Sequence, residues 1–168
     1  MSLGDVFSVV AALLGIGVTS WAFMVSCMLL FPARVERAAA VIERNAKSQF
    51  FLGLCLLVPA IVGVVLSGLP NPVLKLLGLA LIVSVLAVGA VGAAGIGFIA
   101  GKRLQPMSPS MDAYPAFIRG SAFIVTASML PVLGWFLFGP AALIVSLGAG
   151  ARALTVRIAR PPVVAGAF

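Results

Sequence analysis

The chain of 168 residues has no histidine, few acidic residues and few cysteines. Its acidic residues, which all lie at or beyond the ends of apolar runs, are Asp5, Glu36, Glu43 and Asp112. Hydrolysis within a membrane needs a base beside a nucleophile, or metal ligands, and carriers of charged substrates place ionisable groups in the interior. We therefore expect no enzyme activity, no metal and no cofactor. Cys27 and Cys55 lie inside apolar runs without CxxC spacing, which predicts packing residues.

Charged residues are also scarce, at 9% of the chain, whereas 62% of the residues are hydrophobic. A soluble domain carries about 25% charged residues, so this composition predicts one integral membrane domain covering residues 1–168. The net charge of +7 comes from Lys and Arg at the ends of apolar runs. In that position they set membrane orientation and contact anionic lipid head groups. We do not expect a nucleic-acid partner.

Three apolar runs predict helices that cross the bilayer, over residues 6–31, 50–68 and 73–100. Each approaches or exceeds the roughly 20 residues that a helix needs to cross the hydrocarbon core. Proline or basic residues follow each run and mark its end. Residues 101–115, which contain three prolines and several polar side chains, predict a cytoplasmic loop.

The last apolar region, residues 116–151, is too long for one crossing helix, at about 54 Å of helix against a core of about 30 Å. Prolines and glycines interrupt its centre, which predicts helices over residues 116–131 and 139–152 and a tail over 153–168. The residues expected to form the intervening turn are Pro131, Gly134, Trp135, Gly139 and Pro140.

The distribution of Lys and Arg favours a C-terminal helical hairpin. If the last region enters and returns on the same side, ten basic residues share one face and Lys75 alone lies on the other. A single crossing divides them seven to four. The positive-inside rule prefers the first arrangement. The sequence thus predicts an all-α transmembrane fold with three spanning helices and a hairpin of short spans or re-entrant helices. It places the N-terminus outside and the C-terminus in the cytoplasm of a bacterial inner membrane.

Residues 33–47 have the pattern of an amphipathic helix. Val35, Ala38, Ala39, Ile42 and Ala46 share one face at 100° per residue, and Glu43 can pair with Lys47 at i, i+4. The pattern predicts a helix along the cytoplasmic leaflet. The residues expected to contact lipid head groups or a cytoplasmic partner are Arg34, Arg37, Arg44 and Lys47. The alternative is a connector whose charges only set orientation.

Small residues recur every four positions in the third predicted helix, at Gly89, Ala93, Gly97 and Gly101. Gly92 and Gly95 widen the same strip. This spacing lets another helix approach closely, which favours association in lipid. The partner helix can belong to the same chain, to a second copy or to another protein.

Three short segments resemble a known bacterial membrane domain. They are Phe31–Ala39 (FPARVERAA), Pro131–Trp135 (PVLGW) and Gly148–Ala151 (GAGA). Together they are similar to the small multi-pass domain attached to some bactofilin-type, polymer-forming cytoskeletal proteins. The resemblance implies a membrane anchor or assembly partner rather than a catalyst, and it assigns no site residues.

These observations favour a non-catalytic membrane component: a scaffold, an anchor or an accessory subunit of a larger complex. Its expected partners are the bilayer, anionic lipid head groups and other membrane subunits or copies of itself. The alternative is an oligomeric channel or carrier for a neutral or apolar solute, since proline and glycine breaks in membrane helices can form binding sites.

Overall fold

The computed structural model describes residues 3–107, 112–130 and 132–155, and all regular structure in these ranges is helical. It has the α-helices α1 (Leu3–Leu30), α2 (Pro32–Ser67), α3 (Pro72–Leu104), α4 (Ala113–Ser128) and α5 (Gly139–Thr155). A 3₁₀ turn over Gln105–Met107 follows α3, and a π-helical turn over Gly134–Phe138 precedes α5. The predicted all-helical fold is confirmed for these residues.

Four stretches of the described chain are long and apolar enough to cross a membrane. They are Phe7–Leu30, Pro32–Ser67, Pro72–Met107 and Gly134–Thr155. The first three overlap the predicted spanning helices over residues 6–31, 50–68 and 73–100, and the fourth contains the second helix of the predicted hairpin. The described chain therefore has the helices of a multi-pass membrane protein.

The predicted amphipathic helix and second spanning helix form one element, α2, which is bent at Asn45 (φ −160°, ψ 77°). The side-chain oxygen of Asn45 accepts a hydrogen bond from the backbone N–H of Ser48, at 3.2 Å. This is how an N-cap residue starts a helix, so Asn45 ends the first part of α2 and begins the second. The apolar face of the first part packs on protein: Val35, Ala38 and Ala39 are buried within the bundle. The prediction that this face lies on lipid is wrong.

The predicted end of the third helix at residue 100 is also wrong. α3 begins after Asn71, whose side chain accepts a hydrogen bond from Val73 N–H at 3.0 Å, and it continues to Leu104. α4 begins at Ala113 with Pro115 in its first turn, where a proline removes no helical hydrogen bond. The predicted loop over residues 101–115 is therefore largely helical, and its residues 108–111 lie outside the described ranges.

The predicted break between residues 131 and 139 is displaced. The chain turns at Met129, Leu130 and Val132, whereas Gly134, Trp135, Gly139 and Pro140 all lie in helical turns. Pro140 has no N–H to donate within the helix, and the N–H of Gly139 just before it bonds to the carbonyl of Gly134, the wider i→i−5 spacing of a π-turn. Pro131 lies outside the described residues, as do residues 156–168 of the predicted tail.

α3 is the central helix, and its two halves differ in their surroundings. Over residues 88–101 none of its side chains is exposed, and α1, α2, α4 and α5 surround it. Over residues 72–87 only Gly78 is buried, against Gly63 of α2. We call the bundle around residues 88–101 the broad half and the part around residues 72–87 the narrow half.

Candidate functional site

α3 and α4 are in close contact in the broad half. A Cβ added at Gly101 would lie 2.7 Å from the carbonyl oxygen of Ala116, and one added at Gly97 would lie 3.1 Å from Cβ of Ser121. From the other side, a Cβ on Gly120 would lie 2.7 Å from the Gly97 oxygen. The two backbones thus touch directly, with no room for side chains, as small residues allow in membrane helices.

α3 meets α5 and the first part of α2 through further glycines. A Cβ on Gly92 would overlap the Ser146 carbonyl of α5, and one on Gly89 would lie 3.1 Å from the Leu147 side chain. A Cβ on Gly95 would lie 2.9 Å from the Cβ of Ala38 in α2. Three different helices therefore approach α3 within four turns.

α2 and α5 are also joined by glycines, and by one polar contact. A Cβ on Gly53 would overlap the Ile144 carbonyl, and one on Gly148 would overlap the Gln49 carbonyl. One turn further on, the Arg152 guanidinium donates a hydrogen bond to the Ser48 hydroxyl at 3.0 Å. α5 is thereby held along the segment of α2 that follows Asn45.

Three residues of the predicted glycine strip thus lie against helices of the same chain: Gly97 and Gly101 against α4, and Gly89 against α5. Ala93 is half-buried on the same helix. The sequence pattern did not single out the glycines on the opposing helices, which are Gly53, Gly120, Gly148 and Gly150. Gly148 and Gly150 stand in the GAGA run noted for the resemblance, where repeated small residues signal close packing, whereas Gly53 and Gly120 are isolated in sequence.

The predicted lipid-contacting residues lie on the first part of α2 and beside its bend. Arg34, Arg44 and Lys47 are exposed and Arg37 is half-buried. Arg34 stacks over the Phe31 ring, with its guanidinium carbon 4.8 Å from the ring centroid. Glu43 forms its ion pair with Lys102 of α3, at 3.4 Å, and not with Lys47 as predicted. The end of α3 and the first part of α2 therefore share one charged surface.

Nearly all described Lys and Arg residues belong to this end of the bundle. Lys102 and Arg103 end α3, Arg119 follows the part of α4 that packs on Gly101, and Arg152 is near the end of α5. Lys75, in the first turn of α3, is at the opposite end. About 40 Å of helix separates Lys75 from Lys102 at 1.5 Å per residue, which matches a bilayer with its head groups.

Two polar side chains in the interior differ in whether they form hydrogen bonds. The indole N–H of Trp21 in α1 donates to the Ser121 hydroxyl at 3.1 Å and to the Ile118 carbonyl at 3.3 Å, so α1 is tied to α4. Gln49 is fully buried, and neither its amide nitrogen nor its amide oxygen has a hydrogen-bond partner. An unpaired buried amide is costly and points to a partner such as water or a solute.

The two sides of α1 differ in residue size. The side facing the bundle carries Gly17, Trp21 and Cys27. The opposite side over residues 8–26, which we call the outer face of α1, carries exposed small residues within about 80° of one another at 100° per residue. They are Ser8, Ala11, Gly15, Thr19, Ala22 and Ser26. A Cβ added at Gly15 would meet nothing within 4 Å.

Within the described ranges, no three His, Cys, Asp or Glu side chains are grouped so that they could hold a metal ion. Cys27 is buried between α1 and its neighbours, and Cys55 is exposed on α2. The geometry offers a packed interior, one charged end and a small-residue face.

No family model, curated protein or solved structure matches the chain. The resemblance to the bactofilin-associated membrane domain stays a prediction. Function is therefore inferred from the geometry.

Proposed function

We propose that this chain is a non-catalytic integral membrane component, which serves as a scaffold, anchor or accessory subunit of a larger complex. The main support for this proposal is the packing of the interior of the chain. Around residues 88–101 of α3, helix backbones are in direct contact through glycines and alanines. A close-packed interior of this kind fixes the helix positions, as a scaffold requires.

The topology that goes with this function has three crossing helices, α1, α2 and α3, with α4 and α5 in the broad half. Lys and Arg are concentrated at the end of the bundle that lies in the broad half. By the positive-inside rule, this supports a cytoplasmic position for that end. The start of α1 is then outside, in a bacterial cytoplasmic membrane. The charged surface of Arg34, Arg44 and Lys47 with Lys102 and Arg103 faces anionic lipid head groups and cytoplasmic partners.

A membrane partner would pack on the outer face of α1. Lipid-facing positions of the neighbouring α2 carry large apolar side chains, such as Phe51, Val58 and Ile61. Small residues at helical spacing instead favour close helix contact. A helix of another subunit could approach α1 there as closely as α4 approaches α3.

The test is extraction from native membranes in a mild detergent, followed by native mass spectrometry. Partner chains in fixed stoichiometry are the expected result. Gly15→Leu should release them without destabilising the isolated chain, because the position is open. Val9→Leu, an exposed position on a different side of α1, is the matched control. A chain that carries only lipid in every preparation would refute the proposal.

A second candidate, an oligomeric carrier for a small neutral solute, is favoured by the unpaired amide of Gln49. That side chain lies one residue from the Ser48–Arg152 contact and four from the bend at Asn45, and helix breaks of this type form solute sites in transporters. This candidate predicts solute flux into vesicles that contain the purified chain, and a loss of flux in Gln49→Leu. A flat leak in both would exclude it.

A further inference from the structure

The depth that α4 reaches can be measured against α1. The two helices run antiparallel, because Trp21 contacts Ile118 and Ser121 while Gly17 lies against Val125 and Met129. α4 ends at Ser128, level with Gly17. Residues 3–16 of α1 extend about 21 Å further at 1.5 Å per residue. α4 therefore stops near the middle of α1.

The segment that leads into α5 begins at the same level, and α5 then crosses α3. Gly134, at the start of the π-turn, packs on the Ser128 carbonyl, and Leu147, more than three turns later, packs on Gly89. Ser146 and Gly150 contact α3 at Gly92 and Val88. α5 also runs antiparallel along the segment of α2 that follows Asn45, from Ile144 beside Gly53 to Arg152 beside Ser48. It therefore stays within the broad half, although Gly134–Thr155 is long enough to span.

This level is the middle of the membrane. Lys75 and Lys102 mark the two head-group regions along α3, and the residues midway between them are those that α5 crosses, near Val88. The described turn residues suit such a position. Leu130, Val132 and Leu133 are apolar and exposed. The N–H groups of Met129, Leu130 and Gly134 bond to carbonyls within the turn and α4, as backbone in hydrocarbon requires.

We propose that the protein is wedge-shaped in the bilayer and concentrates where the leaflet at its charged end is convex. That leaflet contains parts of α1, α2 and α3 together with α4 and α5, whereas the other contains, of the described helices, only α1, α2 and α3. A body that is wider in one leaflet fits a membrane in which that leaflet has the larger area. The inference rests on the three-crossing topology of the proposed function, but it requires no partner protein.

The first experiment measures depth. The chain has two tryptophans, so Trp21→Phe leaves Trp135, which is exposed in the π-turn, as the only indole. In vesicles with lipids brominated at different positions, the strongest quenching should come from bromines near the ends of the acyl chains. Strongest quenching by bromines near the head groups would mean that the hairpin crosses the bilayer. That result would overturn the topology and the wedge together.

The second experiment measures curvature preference in small and large vesicles. An Arg103→Cys, Cys55→Ala chain reacts with an impermeant maleimide only when its charged end faces outward, because Cys27 is buried. Since elastic costs of fractions of a kcal/mol sort membrane proteins, we expect outward molecules to be enriched about twofold in small vesicles. Inward molecules in the same vesicles are the matched control and should be depleted.

Equal distribution of both orientations, with Trp135 at mid-depth, would overturn the wedge and leave the topology intact. Enrichment of both orientations alike would also overturn it, because a wedge must distinguish the two leaflets. Neither result depends on the native mass spectrometry, so failure of the curvature inference is distinct from failure of the scaffold proposal.

Discussion

Gly120→Ala is expected to destabilise the folded chain, because the added Cβ would meet the backbone of α3. It would lie 2.7 Å from both the Gly97 oxygen and the Gly101 Cα, and closer still to the Gly101 nitrogen, whereas ordinary contact begins at 3.4 Å. α4 must therefore move away by about 0.7 Å or more. Overpacking of this kind costs about 1–3 kcal/mol. Part of this is offset by the better helix propensity of alanine, about 0.5–1 kcal/mol.

Two other glycines provide a graded control. A Cβ on Gly89 meets only the flexible Leu147 side chain, at 3.1 Å, and one on Gly15 meets nothing within 4 Å. Gly15→Ala should be neutral or stabilising by up to about 1 kcal/mol. The stability of the Gly89→Ala chain should lie between those of the Gly15→Ala and Gly120→Ala chains. Because both variants gain the same helix propensity, the expected difference between the two extremes is the overpacking cost alone, about 1–3 kcal/mol.

The assay is equilibrium unfolding in mixed micelles with an increasing fraction of denaturing detergent. Trp21 is a suitable fluorescent probe, because its indole N–H contacts Ser121, the residue after Gly120. Coincident transitions by fluorescence and circular dichroism would support two-state treatment. If Gly120→Ala proves as stable as Gly15→Ala, direct backbone contact does not hold α3 and α4 together, and the proposed interior is wrong.

Three further substitutions test single polar groups in the same assay. Gln49→Leu should stabilise the chain by about 1–3 kcal/mol, since an unpaired buried amide costs that much; destabilisation would indicate a bound water or solute. Ser121→Ala should cost about 0.5–1.5 kcal/mol, because one acceptor for Trp21 is lost, and no change would mean that the backbone carbonyl suffices. Lys102→Ala should cost at most about 1 kcal/mol, because the Lys102 and Glu43 side chains are 60% and 43% exposed. A larger loss would show that this ion pair helps to hold α2 on α3.

The crossing helices could be predicted from composition alone, because hydrocarbon imposes length and hydrophobicity directly on the sequence. Helix ends within the bundle could not be predicted so well. Gly101 and Lys102 were expected to end α3, but neighbouring helices keep it helical to Leu104. Pro140 was expected to break the chain, and a π-turn accommodates it within a helix. In both places the surroundings outweigh the local residue preference.

The partner of an apolar face was harder to predict than the face itself. Val35, Ala38 and Ala39 were correctly placed on one side of a helix, because periodicity is a local property. Whether lipid or protein covers that side depends on long-range packing. Here Gly95 of α3 accepts Ala38, and Ala149 and Ala153 of α5 pack in the same cluster. The burial of Gln49 is equally nonlocal, since it follows from the close approach of Gly148.

Residue size along α3 follows the number of helices around it. Within residues 88–101, where α1, α2, α4 and α5 surround α3, every buried position except Val91 is glycine or alanine. Within residues 72–87, Leu76, Leu79 and Val83 face outward. Large apolar side chains suit positions that face fluid lipid, whereas small side chains permit direct contact between helix backbones. The outer face of α1 carries small residues, like the helix contacts around residues 88–101, but no described helix packs on it. By the same reasoning, a helix of another subunit should occupy that face, and Gly15→Leu is the substitution that should exclude it.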